Sequence, residues 1–313
     1  MGSRLYSHLP KALLSLRPIF LRKITRRLFF LITFFRYIHR YIHYLTPGSL
    51  YLGPVDIVLT TRCTLRCKDC HMKIPSYPKH YDYDIDDLLH SVKNVVDAVD
   101  GVSLFTLMGG EPFLYPNLRE VIDFLKGSMK VANIRIVTNG TIIPDESVIN
   151  SLIGTKILVC ISDYGALSHK KEDLKIILTG KNIHFEEWKF SDAWIDMEDF
   201  DPNKSEAEIR DGYAKCMLGN PCKSLLNGRL YPCFRAATLT NLCLKDEDKS
   251  EFVELKDDSA LNVRGEIKRL LQETSLSSCR YCGRIGGGGK RITPAIQAIY
   301  EKPNDTHDAE NRS

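Results

Sequence analysis

The first 55 residues contain no Asp or Glu; the earliest acid is Asp56. Nine of the 43 Lys and Arg fall in residues 1–50, which leaves 34 basic against 39 acidic residues beyond them. The bulk of the chain is therefore mildly acidic, with a basic arm in front. That distribution argues against a nucleic-acid-binding domain, which carries its basic patch on the fold itself. A long apolar run is also lacking. Within residues 18–45 the longest uncharged run is residues 28–35, far short of the about 20 apolar residues a membrane-spanning helix needs. Arg and Lys interrupt that stretch and no small-residue cleavage site follows, so no secretory signal is expected. Without one, ten cysteines read as metal ligands or redox groups in a reducing compartment, not as a disulfide framework.

What is present is globular: 43% apolar and 26% charged residues, enough to bury a sizeable core. Residues 18–45 are expected to form a helix with Pro18 in its first turn. Phe20, Ile24, Leu31, Phe35, Ile38 and Ile42 share one face, and Arg22, Arg26, Arg36 and Arg40 the opposite one. Such a helix suits the surface of an anionic bilayer, or packs on the protein's own body or on a partner. Beyond Pro47 and Gly48, strand and helix signals alternate. Strands are expected at residues 55–61, 103–108, 134–138, 157–161 and 183–188. Helices are expected behind Asp82 and Asp84, after Pro116, and from Pro144 and Asp145. Repeated β-α units imply an α/β fold with a parallel sheet, closed or partly closed, and too few units for an eight-stranded barrel.

The segment Cys63-Thr64-Leu65-Arg66-Cys67-Lys68-Asp69-Cys70 is C-x3-C-x2-C, directly after the first expected strand. Three thiolates on one tight loop can hold three irons of a cubane [4Fe–4S] cluster and leave the fourth open. Zinc would need a fourth ligand from elsewhere. Gly109-Gly110-Glu111-Pro112 follows the second strand, Thr138-Asn139-Gly140 ends the third, and Ser162-Asp163 ends the fourth. In α/β folds these strand ends build the site. Gly109 and Gly110 have no Cβ, so a ligand's amino and carboxyl groups can approach the backbone. Glu111 can accept from an ammonium group. For residues 138–140 and 162–165 the alternative is strand-ending turn chemistry.

Over roughly residues 52–190 these motifs together resemble the radical S-adenosylmethionine (SAM) superfamily. The resemblance implies a partial parallel (β/α) barrel, a cluster on Cys63, Cys67 and Cys70, and SAM as cofactor. Gly109, Gly110, Glu111 and Pro112 would then meet the methionine part of SAM, and Ser162, Asp163 and Asn139 its ribose. One departure stands out. Many members carry an aromatic residue just before the third cysteine, near the adenine, where this chain has Asp69, with His71 after Cys70; the adenine contact is unassigned. The implied reaction begins with an electron from reduced flavodoxin or ferredoxin. SAM is cleaved to methionine and a 5′-deoxyadenosyl radical, which abstracts hydrogen from substrate.

Five more cysteines, Cys216, Cys222, Cys233, Cys279 and Cys282, lie further on. Asn227-Gly228 signals a hairpin before Cys233, and Cys279 and Cys282 form a C-x2-C clip. Four thiolates suffice for a second, auxiliary [4Fe–4S] cluster; a zinc ribbon is the alternative. The segment resembles the twitch form of the SPASM domain, and no cysteine follows Cys282, so one auxiliary cluster is expected. Cys216, Cys233, Cys279 and Cys282 are its first-choice ligands and Cys222 the fifth candidate. Cys160 and Cys243 are expected as buried core residues. The expected organisation is an N-terminal helix over 1–50, the partial barrel over 51–205, a small cysteine-rich α+β domain over 206–290 and a tail over 291–313. Resemblance to a dehydrogenase of aminoglycoside precursors implies oxidation, or another modification, of a carbohydrate-like small molecule or glycan precursor. A peptide-modifying maturase and a non-catalytic iron–sulfur or zinc scaffold are the alternatives. Tyr164, Trp188 and Arg235 are candidates for substrate contact, with ordinary packing or a surface position as the alternative for each. The expected location is cytoplasmic, with the basic arm peripheral at the inner membrane face, and no nucleic-acid partner is expected.

Overall fold

The computed structural model describes residues 46, 48–154, 156–189, 194–198, 201, 203–216, 222–255, 260–283 and 287–298. The expected helix over 18–45 lies outside them. The chain divides into two compact units, Met1–Leu50 and Tyr51–Ser313. In the first, the described residues are 46 and 48–50, where the Ser49 N–H donates to the Thr46 carbonyl at 3.1 Å. The second unit carries everything that follows.

Six strands run parallel in one sheet. They are β1 (Tyr51–Thr60), β2 (Gly101–Gly109), β3 (Ile134–Thr138), β4 (Ile157–Asp163), β5 (Phe185–Lys189) and, past the short β6 (Trp194–Ile195), β7 (Lys223–Leu226). With β8 (Arg229–Tyr231) and β9 (Val253–Glu254) the spatial order is β5-β4-β3-β2-β1-β7-β8-β9. The β1 strand starts four residues before its expected beginning and runs through Gly53 and Pro54, residues that weaken a strand signal. The β7–β8 hairpin turns where Asn227-Gly228 places it, with φ of 51° and 75°, the left-handed pair a two-residue turn demands. The β7–β9 strands extend the main sheet instead of building their own.

Helices α1 (Ile85–Ala98), α2 (Leu118–Gly127), α3 (Glu146–Ser151) and α4 (Lys171–Gly180) connect the parallel strands. Asp84 caps α1 by accepting from the Asp86 and Asp87 N–H groups, and Asp145 caps α3 by accepting from Val148. The α4 helix was not expected. It buries only Leu174 and Leu178, too thin a stripe to stand out at helical spacing. Further on come α5 (Glu206–Ala214), α6 (Phe234–Asn241) and α7 (Ala260–Gln272). One face of the sheet is aliphatic and closed. Val55, Ile57, Phe105, Leu107, Ile134, Ile136 and Val159 are all fully buried, at roughly 1.5–3 kcal/mol for each side chain taken out of water. The opposite face carries a polar row: Asp56, Thr106 and Arg135 stand in register across β1, β2 and β3, with Ser224 of β7 beside Asp56. Residues 291–298, expected within the tail, include β10 (Arg291–Ile292), antiparallel to β6.

Candidate cofactor site at the strand ends

The loop that follows β1 is closed at its neck. Thr61 donates its N–H to the Tyr81 carbonyl at 2.9 Å, and Tyr83 donates to Leu59 at 3.1 Å. Arg62 adds an ion pair to Asp82 at 2.9 Å. Between those ties the chain makes tight turns, with Cys70 N–H on the Cys67 carbonyl and Lys73 N–H on the Cys70 carbonyl. The turns bring Cys63, Cys67 and Cys70 close enough for their charges to act on one another. Burial pushes the Cys63 thiol up to about 12 and the Cys67 thiol up to about 11, and raises Cys70 as well. Each sulfur nevertheless meets N–H donors. Cys63 Sγ accepts from Leu65 N at 3.4 Å and Asn139 Nδ2 at 3.6 Å. Cys67 Sγ accepts from Gln297 Nε2 at 3.4 Å. Cys70 is bonded by the backbone of Met72, Lys73 and Ile74. Buried thiols ringed by donors fit a positively charged metal group, which holds them as thiolates. Among the described residues no three His, Cys, Asp or Glu side chains converge on a point for a single ion.

The strand ends beside this loop are bound to it and to each other. Gly110 N–H donates to the Thr60 carbonyl and Glu111 N–H to the Arg62 carbonyl, both at 2.8 Å. A Cβ on Gly109 (φ +139°) would stand 2.4 Å from the Thr60 carbonyl oxygen, and one on Gly110 1.9 Å from that of Arg62. Both glycines are therefore demanded by the chain's own close approach to the cysteine loop, a reason other than the expected approach of a ligand. Glu111 is fully buried. Its carboxylate accepts from Asn139 N at 2.8 Å, Thr138 Oγ1 at 2.9 Å and Phe113 N at 3.1 Å. Burial pushes its pKa up to about 7, against the pull of those three donors. Glu111 thus straps β2 to β3, where an ammonium partner was expected. Pro112 is buried and opens a short 3-10 turn.

Asn139 faces the loop: its Nδ2 donates to Thr64 Oγ1 at 3.0 Å as well as to Cys63, while its Oδ1 accepts from Thr141. Ser162 is buried. Asp163 is held by Lys171, which lowers its pKa, and accepts from Gly165 N, so the carboxylate is already engaged at the position where a ribose contact was expected. No sequence signal marks Ser168, whose hydroxyl lies within donating reach of the Asn139 and Ser162 carbonyls at 2.7 and 2.9 Å and joins the ends of β3 and β4. Among the substrate-contact candidates, Tyr164 packs against the cysteine loop and meets Trp194 edge-on at 5.8 Å. Trp188 lies on the polar sheet face under the Arg135 guanidinium, 5.4 Å from its ring centre. Arg235 takes the packing alternative: it is 3% exposed and spent on Glu198 at 2.7 Å and the Tyr281 carbonyl. His71 stacks on Phe234 and bonds the Ile195 carbonyl.

The later cysteines assemble too. Cys233 caps α6 and feels the charges of Cys282 and Cys216; Cys279 feels Cys233, Cys282 and Cys216. The short helix Ser277–Tyr281 that carries Cys279 is held by buried Glu251, which accepts from Ser278 N at 2.8 Å and Ser277 Oγ at 2.9 Å. Cys222 departs from this group. Its strongest charged neighbour is Asp56, then Lys223 and Arg135, with Cys216 behind them. Cys160 is fully buried as expected, whereas Cys243 is exposed, with φ +53° just past α6. All ten cysteines are free thiols. On the polar face Asp56 is pushed up to about 6 by burial, with Thr106 and Arg135 pulling it down. Ser224 Oγ and Arg135 Nε are buried there without a hydrogen-bond partner. No helix among the described residues is long and apolar enough to cross a membrane.

An α/β protein with a mostly parallel sheet, its three-cysteine loop at the carboxyl end of β1, is what these elements define. Residues 57–158 match the model of the radical SAM superfamily. It is 32% identical to a GTP 3′,8-cyclase of Lactiplantibacillus plantarum over 88 residues, 28% of this chain and 26% of the relative. It is also 32% identical to the antilisterial bacteriocin subtilosin biosynthesis protein AlbA of Bacillus subtilis over 108 residues, 33% of this chain and 22% of that one. The chain thus spans about a quarter of the length of these relatives. Among solved structures, BtrN in complex with AdoMet and 2-DOIA aligns over 78% of this chain and all of that one, at 14% identity and a TM-score of 0.47. The structure of anSMEcpe with bound AdoMet aligns over 43% of this chain and 41% of that one, at 24% identity and a TM-score of 0.37.

Proposed function

We propose that Cys63, Cys67 and Cys70 hold a [4Fe–4S] cluster with one open iron, and that the ends of β2–β4 bind SAM beside it. The observation that carries this reading is the loop itself: one buried and two half-buried thiols, each with N–H donors on sulfur, at the carboxyl end of a parallel strand. The bound group supplies one-electron cleavage of SAM to a carbon radical that takes hydrogen from substrate. The chain's own part is placement. Glu111 and Ser168 lock three strand ends together, so Asn139 and the Gly109–Gly110 backbone are presented at fixed positions. Asn139 donates to Cys63, and Tyr164 closes the loop on a second side.

Cys216, Cys233, Cys279 and Cys282 are proposed to hold an auxiliary [4Fe–4S] cluster in a part spanning residues 206–290, with 51–205 as the SAM-binding partial barrel. Cys222, grouped with Asp56, is left out of that set. Reduced flavodoxin or ferredoxin is the proposed electron donor. The proposed substrate is a carbohydrate-like small molecule or glycan precursor, to be oxidised or otherwise modified. The polar face supports this: Asp56 accepts, Arg135 Nε and Ser224 Oγ are unpartnered, and Trp188 offers a ring. Asp56 and Arg135 balance in charge, which suits a neutral hydroxyl-bearing group better than a phosphate or an ammonium. A peptide substrate is the second reading, favoured by the similarity to AlbA.

Anaerobic reconstitution with iron and sulfide, followed by SAM and dithionite, tests the reading. Formation of 5′-deoxyadenosine is expected; none from a protein with its clusters loaded would sink it. Deuterium passed to that product from a perdeuterated sugar, but not from a perdeuterated peptide, would assign the substrate class.

A further inference from the structure

The cysteine loop is clamped by a segment more than two hundred residues away in the chain. Residues 294–298 run antiparallel to residues 66–68, with a bridge between Cys67 and Gln297. Lys68 N–H donates to the Ile296 carbonyl and Ala298 N–H to the Arg66 carbonyl, both at 2.7 Å. Ala295, 4% exposed, packs against Leu65 and Cys67 in one small apolar cluster. Gln297 uses both ends of its amide. Its Oε1 accepts from Arg66 N at 2.7 Å, while its Nε2 donates to Cys67 Sγ at 3.4 Å and to the Ala295 carbonyl at 2.7 Å. Only an amide of this length does all three: Glu lacks the donors, Leu lacks everything polar, and Asn is shorter by one methylene.

We propose that Gln297 is a positioning residue for the cluster, and that residues 294–298 are a strap that fixes the Cys67 ligand and sets the cluster's reduction potential. This rests on the reading that Cys63, Cys67 and Cys70 hold an open-iron cluster. A hydrogen bond to a ligating sulfur draws electron density from the metal group and favours its reduced form. The donation from Gln297 therefore raises the potential and eases the uptake of the electron that SAM cleavage requires. The two backbone bonds are independent of the side chain at 297, so a substitution there removes the sulfur bond and leaves the strap in place.

The test uses the full-length reconstituted protein and follows the reduced-cluster electron paramagnetic resonance signal that changes when SAM is added. That signal belongs to the open-iron cluster alone. Gln297→Leu is expected to keep wild-type iron per chain and shift the midpoint potential of this signal to more negative values. Gln297→Glu, which also adds a negative charge, is expected to shift it further. A chain ending at Thr293 is expected to lose the SAM-responsive signal or most of its iron. An unchanged potential in Gln297→Leu, or an unchanged signal and potential in the truncated chain, would overturn the proposal. A wild-type protein with no SAM-responsive signal at all would instead overturn the cluster reading beneath it.

Discussion

Glu111, two residues past β2, accepts the backbone N–H of Asn139, at the end of β3, at 2.8 Å. Asn139 in turn donates to Cys63 Sγ at 3.6 Å. A buried carboxylate thereby sets the position of an amide that touches one of the three loop sulfurs. The site is a chain of contacts from strand to strand to loop, and each link has a measurable consequence.

The first consequence concerns pH. Burial raises the Glu111 pKa from 4.5 to about 7 in the folded chain, so the folded state holds this proton more tightly than the unfolded one. Its contribution to stability is full below about pH 4.5 and is lost as pH rises through about 7. The span corresponds to about 3 kcal/mol. Urea melts of the metal-free protein should show stability falling across that window, and Glu111→Gln should make the fall shallower. An unaltered pH profile in the variant would show that Glu111 titrates normally.

Gly110→Ala should be among the costliest single-methyl additions in the chain. The new Cβ would meet backbone at 1.9 Å, and backbone cannot swing aside as a long side chain does. Overpacking typically costs 1–3 kcal/mol, so a drop of about that size or more is expected in thermal melts. Gly127→Ala, with open space around it, serves as the control and should change stability little. Equal melting temperatures for the two variants would contradict the close approach.

Iron content should separate the cysteines into classes. Replacing Cys63, Cys67 or Cys70 by Ala should lower iron per chain by about one cluster, as should replacing Cys216, Cys233, Cys279 or Cys282. Cys222→Ala, Cys160→Ala and Cys243→Ala should leave iron unchanged. Loss of iron in Cys222→Ala would place that thiol in the second set despite its position beside Asp56.

Arg135→Leu and Asp56→Asn should leave SAM cleavage in the absence of substrate near the wild-type rate, because neither residue touches the cysteine loop. Both should reduce deuterium transfer from a labelled substrate by tenfold or more, the equivalent of about 1.4 kcal/mol or more. Retained transfer would remove the polar sheet face from substrate recognition.

The first five parallel strands, and the spacings that put three cysteines on one loop and two on a clip, were legible because their signals are local: short apolar runs, C-x3-C-x2-C and C-x2-C. Much of what positions them was not. Gln297 and Cys67 meet across 230 residues, and Ser168 acts through one hydroxyl that accepts from Tyr164 N and lies within reach of two carbonyls. Glu111 and Arg235 looked like groups free to meet a ligand, and both are buried in bonds to the protein itself. A sequence shows which chemistry a residue carries; the fold decides whether neighbours consume it. The glycines illustrate the same point, since their missing side chains make room for the chain's own carbonyls.

The central claim is that one iron on the Cys63–Cys67–Cys70 loop is open to SAM. Mössbauer spectra of ⁵⁷Fe-reconstituted protein, with and without SAM, address it directly. One iron of a [4Fe–4S] cluster should change its parameters when SAM is added, and that iron should vanish when the three cysteines are replaced by Ala. Spectra that SAM leaves untouched, in a protein with the loop's cluster fully loaded, would contradict the account.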